Sequence, residues 1–233
     1  MAAGMLPGAV IAIARHGKLA HLDAIGQRDP KSKAPLATDA VFSIASMTKA
    51  MVSVVIMQLV EEGRVLLADP ASKFLPELKA LRVARSLAPD DTETLSLERE
   101  PTIQDFLRHS SGMTYRERGP SAAHKLAPGS SVVAAVALSK PLFLDALAKA
   151  PLLFQPGTQW EYGFSSDVLG LVIEAVTGQT LGTALRERLW APLGMADTGF
   201  TLSPSTAERY AHAFPNDVIT GQPVSVHHAT GKS

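Results

Sequence analysis

The sequence predicts an α+β fold, in which one antiparallel hairpin leads into a mostly helical chain. Two short apolar runs, residues 8–15 and 19–25, flank His16-Gly17-Lys18, the pattern of two strands joined across a tight turn. Residues 47–60 are apolar on nearly every face and are closed by Glu61, Glu62 and Gly63, which predicts a helix buried on all sides. Later, residues 166–177 form an apolar helical run closed by Gly178, and residues 180–189 form another.

Between these landmarks each stretch has its own signal. Residues 27–39 are polar and carry Pro30 and Pro35, so they read as a loop leading to the central helix, whose start Ser43 or Ser46 is placed to cap. Residues 66–70 turn the chain, 71–78 read as short helical or irregular, and 85–100 as polar and irregular. Thr102 and Asp105 have capping-box spacing ahead of Phe106-Leu107, predicting a short helix that stops near His109 to Gly112. Residues 115–129, rich in Arg, Gly and Pro, read as a mobile loop, and 142–150 as helix. Pro156-Gly157 predicts a type II turn. From Ser203 onward no strong periodicity is visible.

Composition narrows the function classes. Among 233 residues, Lys+Arg 22 balances Asp+Glu 22, so no global field favours nucleic acid or an anionic membrane. The absence of cysteine excludes disulfides, thiolate metal sites and a cysteine nucleophile. The apolar run at 51–60 is too short to span a bilayer. The start, MAAGMLPGAV, lacks the basic and long apolar regions of a signal peptide, so a cytoplasmic location is expected. Neither H-E-x-x-H nor G-x-S-x-G occurs, and no cofactor or metal is expected.

The chemistry centres on the one charge inside the apolar run, Lys49. Ser46 lies one helical turn earlier on the same face, giving S-x-x-K, a spacing shared with penicillin-binding proteins and β-lactamases. A helix N-terminus offers free N–H groups and a positive dipole end, where an acyl-transfer oxyanion needs donors. The serine needs a base. A lysine at its reference pKa near ~10.4 serves poorly at neutral pH unless burial lowers it. Alternatively the ammonium stabilises a nearby tyrosinate that takes the proton. Of Tyr115, Tyr162 and Tyr210, Tyr162 is the best placed, just past the Pro156-Gly157 turn with an apolar helix behind it.

The segments GAVIAIARHGKLAH, VFSIASMTKAMVSVVIMQLVEEGRVLLADPASKFLPEL, TIQDFLRHSSGMTY, PGTQWEYGFSSDVLGLVIEAVTG and LWAPLGMADTGF, in this order, resemble class C β-lactamases and their relatives, most of all the family VIII carboxylesterases. The resemblance covers nearly the whole chain. It implies Ser46 as nucleophile, Lys49 as its activating partner and Tyr162 as general base. It also implies an antiparallel sheet flanked by helices, with an adjoining helical domain and the active site between them. Where β-lactamases carry Y-x-N, this chain has Tyr162-Gly163-Phe164, which suits an apolar acyl or alcohol group better than a β-lactam amide.

The resemblance further implies a chain truncated at both ends, mainly at the C-terminus. The return strands and the third motif (K-T-G, H-x-G or W-x-G) would then be absent. Ala229-Thr230-Gly231 imitates that motif without its lysine and follows no strand pattern. Gly231-Lys232-Ser233 and His227-His228 are read as loop rather than phosphate or metal sites, and His109 as a helix-end histidine rather than a base.

The expected division is 1–70 for hairpin and nucleophile helix, 71–202 for the helical domain with the tyrosine, and 203–233 as an irregular return. Tyr115, Trp160 and Phe164 are candidates for substrate contact. The expected activity is hydrolysis of short-chain carboxylic esters through an acyl-enzyme on Ser46. The alternatives are β-lactamase or D-Ala-D-Ala carboxypeptidase activity, and an acyl-sensing domain without turnover. The only partner expected is a small ester, with self-association through an unpaired sheet edge as a further possibility.

Overall fold

A computed structural model describes residues 5–129 and 138–223 of the chain. The chain divides into two compact units, Met1–Ala45 together with Met195–Ser233, and Ser46–Gly194.

In the first unit, strand β1 (Gly8–Arg15) pairs antiparallel with β2 (Lys18–Asp29), and β3 (Ala34–Pro35) pairs with the far side of β2. Arg15 pairs with Lys18, leaving a two-residue turn, His16-Gly17, with φ of 50° and 73°. Two positive φ values in a two-residue turn match the right-handed twist of the strands, which explains the histidine-glycine pair. The loop expected over 27–39 is partly strand. β2 continues to Asp29, whose carboxylate accepts from the Lys31 N–H and the Ser32 hydroxyl and turns the chain back. Pro35 is tolerated because it lies on an edge strand of the sheet, where a missing donor costs least. The returning segment joins at Val41, which bridges Tyr210 in parallel. Arg209 donates to the Asp39 carbonyl oxygen and pairs with Asp197. The helix Pro204–Glu208, capped by Ser203, is a single turn, too short to show periodicity in the sequence.

The second unit begins with α1 (Thr48–Glu61). Next come α2 (Ile103–Leu107), α3 (Ala122–Leu126), α4 (Lys140–Lys149), α5 (Ser165–Thr177) and α6 (Leu181–Leu185), the last running into a π-helical turn Arg186–Trp190. Gly178 closes α5 at φ 72°, the left-handed position that favours glycine. α1 packs on α5, α6 and the π turn, burying Val52, Val55, Ile56 and Leu59. α5 contributes Val168, Leu169, Val172 and Ile173 to the core. Trp190 is buried and donates its indole N–H to the Met51 sulfur at 3.0 Å.

Two expectations are corrected here. α1 is not buried on all sides, because these neighbours cover only part of it and Met47, Val54 and Met57 are exposed. Residues 115–129 are not a featureless loop. They hold a 3₁₀ turn at Arg116–Arg118 and α3, which Ser121 caps. The Arg116 guanidinium donates to the Ala127 carbonyl oxygen at 2.8 Å, so polar residues that look solvated in the sequence bond inward. The nucleophile helix belongs with the helical unit because it buries its apolar side on α5, and residues 195–202 belong with the hairpin.

α2 is short and depends on its cap. The Thr102 N–H donates to Asp105 at 2.8 Å, and the Asp105 N–H donates back to the Thr102 hydroxyl. The Arg99 guanidinium grips the same carboxylate in two places, at 2.5 and 2.9 Å. Burial pushes the Asp105 carboxyl up, but the Arg99 and Thr102 hydrogen bonds outweigh it and hold its pKa below the ordinary value. Asp105→Ala strips both the cap and the partner of Arg99. It is expected to lower unfolding stability at pH 7 by about 2–4 kcal/mol. Because the carboxyl's folded pKa is depressed, the loss should shrink as pH falls below about 4. Urea denaturation across pH checks this, and a variant as stable as wild type at pH 7 contradicts it.

Candidate active site

Ala45 stands at φ 43°, a left-handed conformation unusual for a residue with a Cβ, immediately before Ser46. A 3₁₀ turn, Ala45–Met47, then feeds α1, whose N-cap is Met47 with no side-chain cap hydrogen bond. Neither Ser43 nor Ser46 serves as the cap that the sequence suggested. The Ser46 hydroxyl turns instead to Tyr162, with 2.6 Å between the two oxygens. Lys49, one turn along, donates to the Ser46 Oγ at 3.2 Å. Its ammonium also stands 4.8 Å from the centre of the Tyr162 ring.

Tyr162 is delivered by a strip of chain laid against the end of α2. The Glu161 N–H donates to the His109 carbonyl oxygen at 2.9 Å, the Gly157 N–H to that of Ser110 at 2.7 Å, and the Leu153 N–H to that of Gly112 at 2.9 Å. The fully buried hydroxyls of Ser111 and Ser165 are 2.8 Å apart. Gly163 completes the fit. A Cβ there would lie 2.5 Å from the Met113 carbonyl oxygen and 2.5 Å from the Thr114 Cα, so only glycine lets the strip approach.

Around the phenol, the His109 ring lies 5.1 Å away at 33°, Trp160 at 6.4 Å is nearly parallel, and Tyr115 at 5.6 Å presents its edge. The Arg118 guanidinium is 5.9 Å from the Tyr162 ring centre and is paired with Glu161. Burial alone would raise the Tyr162 pKa. The hydrogen bonds to Lys49 and Ser46, with the Lys49 charge, more than offset it, and the phenol ionises below its ordinary value of 10.0. Tyr115 moves the other way, raised first by burial and then by the Asp167 charge. Of the two neighbouring tyrosines, Tyr162 is therefore the one poised to hold a negative charge.

The three residues singled out as substrate contacts differ in access. Trp160 is 61% exposed beside the Tyr162 ring, open to a ligand. Tyr115 is buried and supports Tyr162 from the side. Phe164 is a correction. At 1% exposure, edge-on to Tyr115 and Phe143, it backs Tyr115 within the core and does not line an open wall. The motifs noted over 227–233 lie outside the described residues.

Two groups near the phenol are easily passed over in the sequence. Asp167, in the first turn of α5, looks like an ordinary dipole-matching carboxylate. Burial pushes it up to about 6, against the opposing pull of Lys49. His109, at the end of α2, sits at φ 56°, where a side chain costs about 1–2 kcal/mol over the right-handed region. Its Nδ1 is buried without a hydrogen-bond partner among the described residues. The only sequence signal for either is proximity to a motif already marked.

The β-lactamase family model matches residues 1–231. The chain belongs to the β-lactamase family. Esterase EstB of Burkholderia gladioli is 35% identical over 95% of this chain and 52% of its own length. The lovastatin esterase of Penicillium rubens is 34% identical over 84% of this chain and 49% of its own. The solved structure of EstCE1, a hydrolase with promiscuous acyltransferase activity, superposes with a TM-score of 0.78 at 28% identity, covering 96% of this chain and 55% of that one. The chain thus spans about half the length of the relatives it matches, and its mixed fold of small antiparallel sheets and helices matches that of EstCE1. Two of these relatives are named esterases, and the third is described as a hydrolase with promiscuous acyltransferase activity.

Asp167 gives the site a pH signature. Its carboxyl titrates near 6 when folded and near the ordinary 3.8 when unfolded, so the native state binds more protons between those values. Stability therefore falls as pH rises through that window. Asp167→Asn removes the penalty. The variant is expected to exceed wild type by about 1–3 kcal/mol at pH 7–8, with the excess gone at pH 4. Urea denaturation at both pH values tests this. An equal difference at the two contradicts it.

Proposed function

We propose that this chain carries the acylation centre of a serine esterase acting on short-chain carboxylic esters. The observation that carries this reading is the contact of Ser46 Oγ with the Tyr162 hydroxyl at 2.6 Å, with the Lys49 ammonium 3.2 Å from the same Oγ. Tyr162, as tyrosinate balanced by Lys49, takes the Ser46 proton as Oγ attacks the ester carbonyl carbon. The resulting oxyanion forms at the positive end of α1. When the tetrahedral species collapses, the C–O bond to the alcohol breaks and Tyr162 returns the proton to the leaving alkoxide. The acyl group then rests on Ser46. Water next gives a proton to Tyr162 and attacks the acyl carbon; as the C–Oγ bond breaks, Tyr162 passes that proton to Ser46 Oγ and the carboxylic acid leaves.

The esterases among the relatives favour an ester over a lactam, and Gly163-Phe164 offers no side-chain amide to a β-lactam. A second reading rests on the exposed Trp160. Its indole face gives an apolar alcohol a place beside Tyr162, where such an alcohol competes with water for the acyl group. The promiscuous acyltransferase activity of EstCE1 supports that reading.

Turnover of p-nitrophenyl butyrate set against nitrocefin tests the substrate class, with the butyrate ester expected to be the better substrate. Ser46→Ala is expected to abolish turnover with the fold intact, and Tyr162→Phe to lower kcat by about 10²–10⁴. Faster nitrocefin turnover overturns the ester assignment. Wild-type kcat in Tyr162→Phe removes the tyrosine from the base role.

A further inference from the structure

His109 is placed at some cost for a residue that merely ends a helix. It follows the Arg108 C-cap of α2 in the left-handed conformation, φ 56°, a position where chains usually place glycine or asparagine. Its Nδ1 is enclosed with no hydrogen-bond partner among the described residues. A glycine or asparagine here would relieve the backbone and remove the unmet nitrogen together. The ring nonetheless occupies this place and lies against the groups that carry the proposed chemistry. Its centre is 5.1 Å from that of Tyr162, with the planes 33° apart, and 6.1 Å from that of Trp160.

From this geometry we infer that His109 is a positioning residue for Tyr162, a ring held in a left-handed backbone conformation so that its face keeps the phenol aimed at Ser46. Strained residues gather where the surroundings fix a functional geometry, and here the strain lies one ring away from the proposed base. The choice of histidine follows from the same constraint. Among ring-bearing side chains, histidine is the one enriched at positive φ. The His109 backbone works in the same direction, since its carbonyl oxygen holds the Glu161 N–H next to Tyr162. Burial and the nearby Lys49 charge keep the imidazole neutral, so it adds shape and not a competing cation. The inference rests on the proposed role of Tyr162 and goes beyond it, because it gives the ring a positioning role and no proton to carry.

Two variants separate ring from backbone. His109→Asn suits the left-handed backbone and discards the ring, whereas His109→Phe keeps a ring of similar reach without its nitrogens. Three quantities are read for each: melting temperature, kcat and KM for p-nitrophenyl butyrate, and the rate at which a fluorophosphonate labels Ser46. His109→Asn is expected to melt at or above the wild-type temperature. It should nevertheless lose about 10- to 100-fold in kcat and in labelling rate, with KM within about threefold of wild type. His109→Phe is expected to recover most of both rates at a lower melting temperature than His109→Asn, because phenylalanine is less suited to the positive φ. A residue that only held the fold together would behave differently, with its loss lowering the melting temperature. The inference is overturned if His109→Asn labels and turns over at the wild-type rate. It is equally overturned if His109→Phe is as slow as His109→Asn. Wild-type protein that does not label at Ser46 is a separate outcome, visible without any variant. It removes the esterase reading, and this inference with it, since no proton transfer is then left to position.

Discussion

The short contact between Ser46 and Tyr162 is the constraint on which the second unit depends. It joins residues 116 positions apart in the sequence, and neither hydroxyl would hold its place without the packing behind it. On one side stands α1, fixed by Val52, Val55, Ile56 and Leu59 and anchored through Met51 to Trp190. On the other is the strip 153–165, tied through Leu153, Gly157, Glu161 and Ser165 to residues 109–112 after α2. The hydroxyl pair meets where these two bodies of structure converge. A shift of either by an ångström would cost the orientation that the proposed proton transfer requires.

The electrostatics follow the same arrangement. A buried phenol resists ionisation, and Tyr115 shows the result when burial and the Asp167 charge act in the same direction. Lys49 reverses the balance for Tyr162 by contributing charge and hydrogen bonding at once. Asp167 works against it, since its charge favours the neutral phenol. The site is therefore a set of opposed influences, with Lys49 the member that decides the sign.

Much of this was legible in the sequence wherever a local rule governs. The His16-Gly17 turn, the Thr102–Asp105 box, Pro156-Gly157 and the closing Gly178 are each short patterns with a single favoured geometry, and each appears as expected. The spacing of Ser46 and Lys49 also read directly, because three residues on a helix share a face whatever surrounds them. What failed to read depended on neighbours distant in the chain. Whether α1 is covered all round, whether Phe164 faces a pocket or a core, and whether 115–129 bonds to solvent or to itself are decided by packing partners. The ring of His109 and the raised carboxyl of Asp167 are of the same kind. Each is an ordinary helix-end residue by pattern and becomes something else only when Tyr162 and Lys49 arrive beside it.

The central claim is that Ser46 becomes covalently acylated during ester turnover. Rapid quenching of the protein with p-nitrophenyl butyrate, followed by intact mass measurement and peptide mapping, tests it most directly. The account predicts a single butyryl group on the peptide containing Ser46, formed in step with the first p-nitrophenol released. Release of p-nitrophenol with no covalent adduct, or with the butyryl group on another residue, would contradict it.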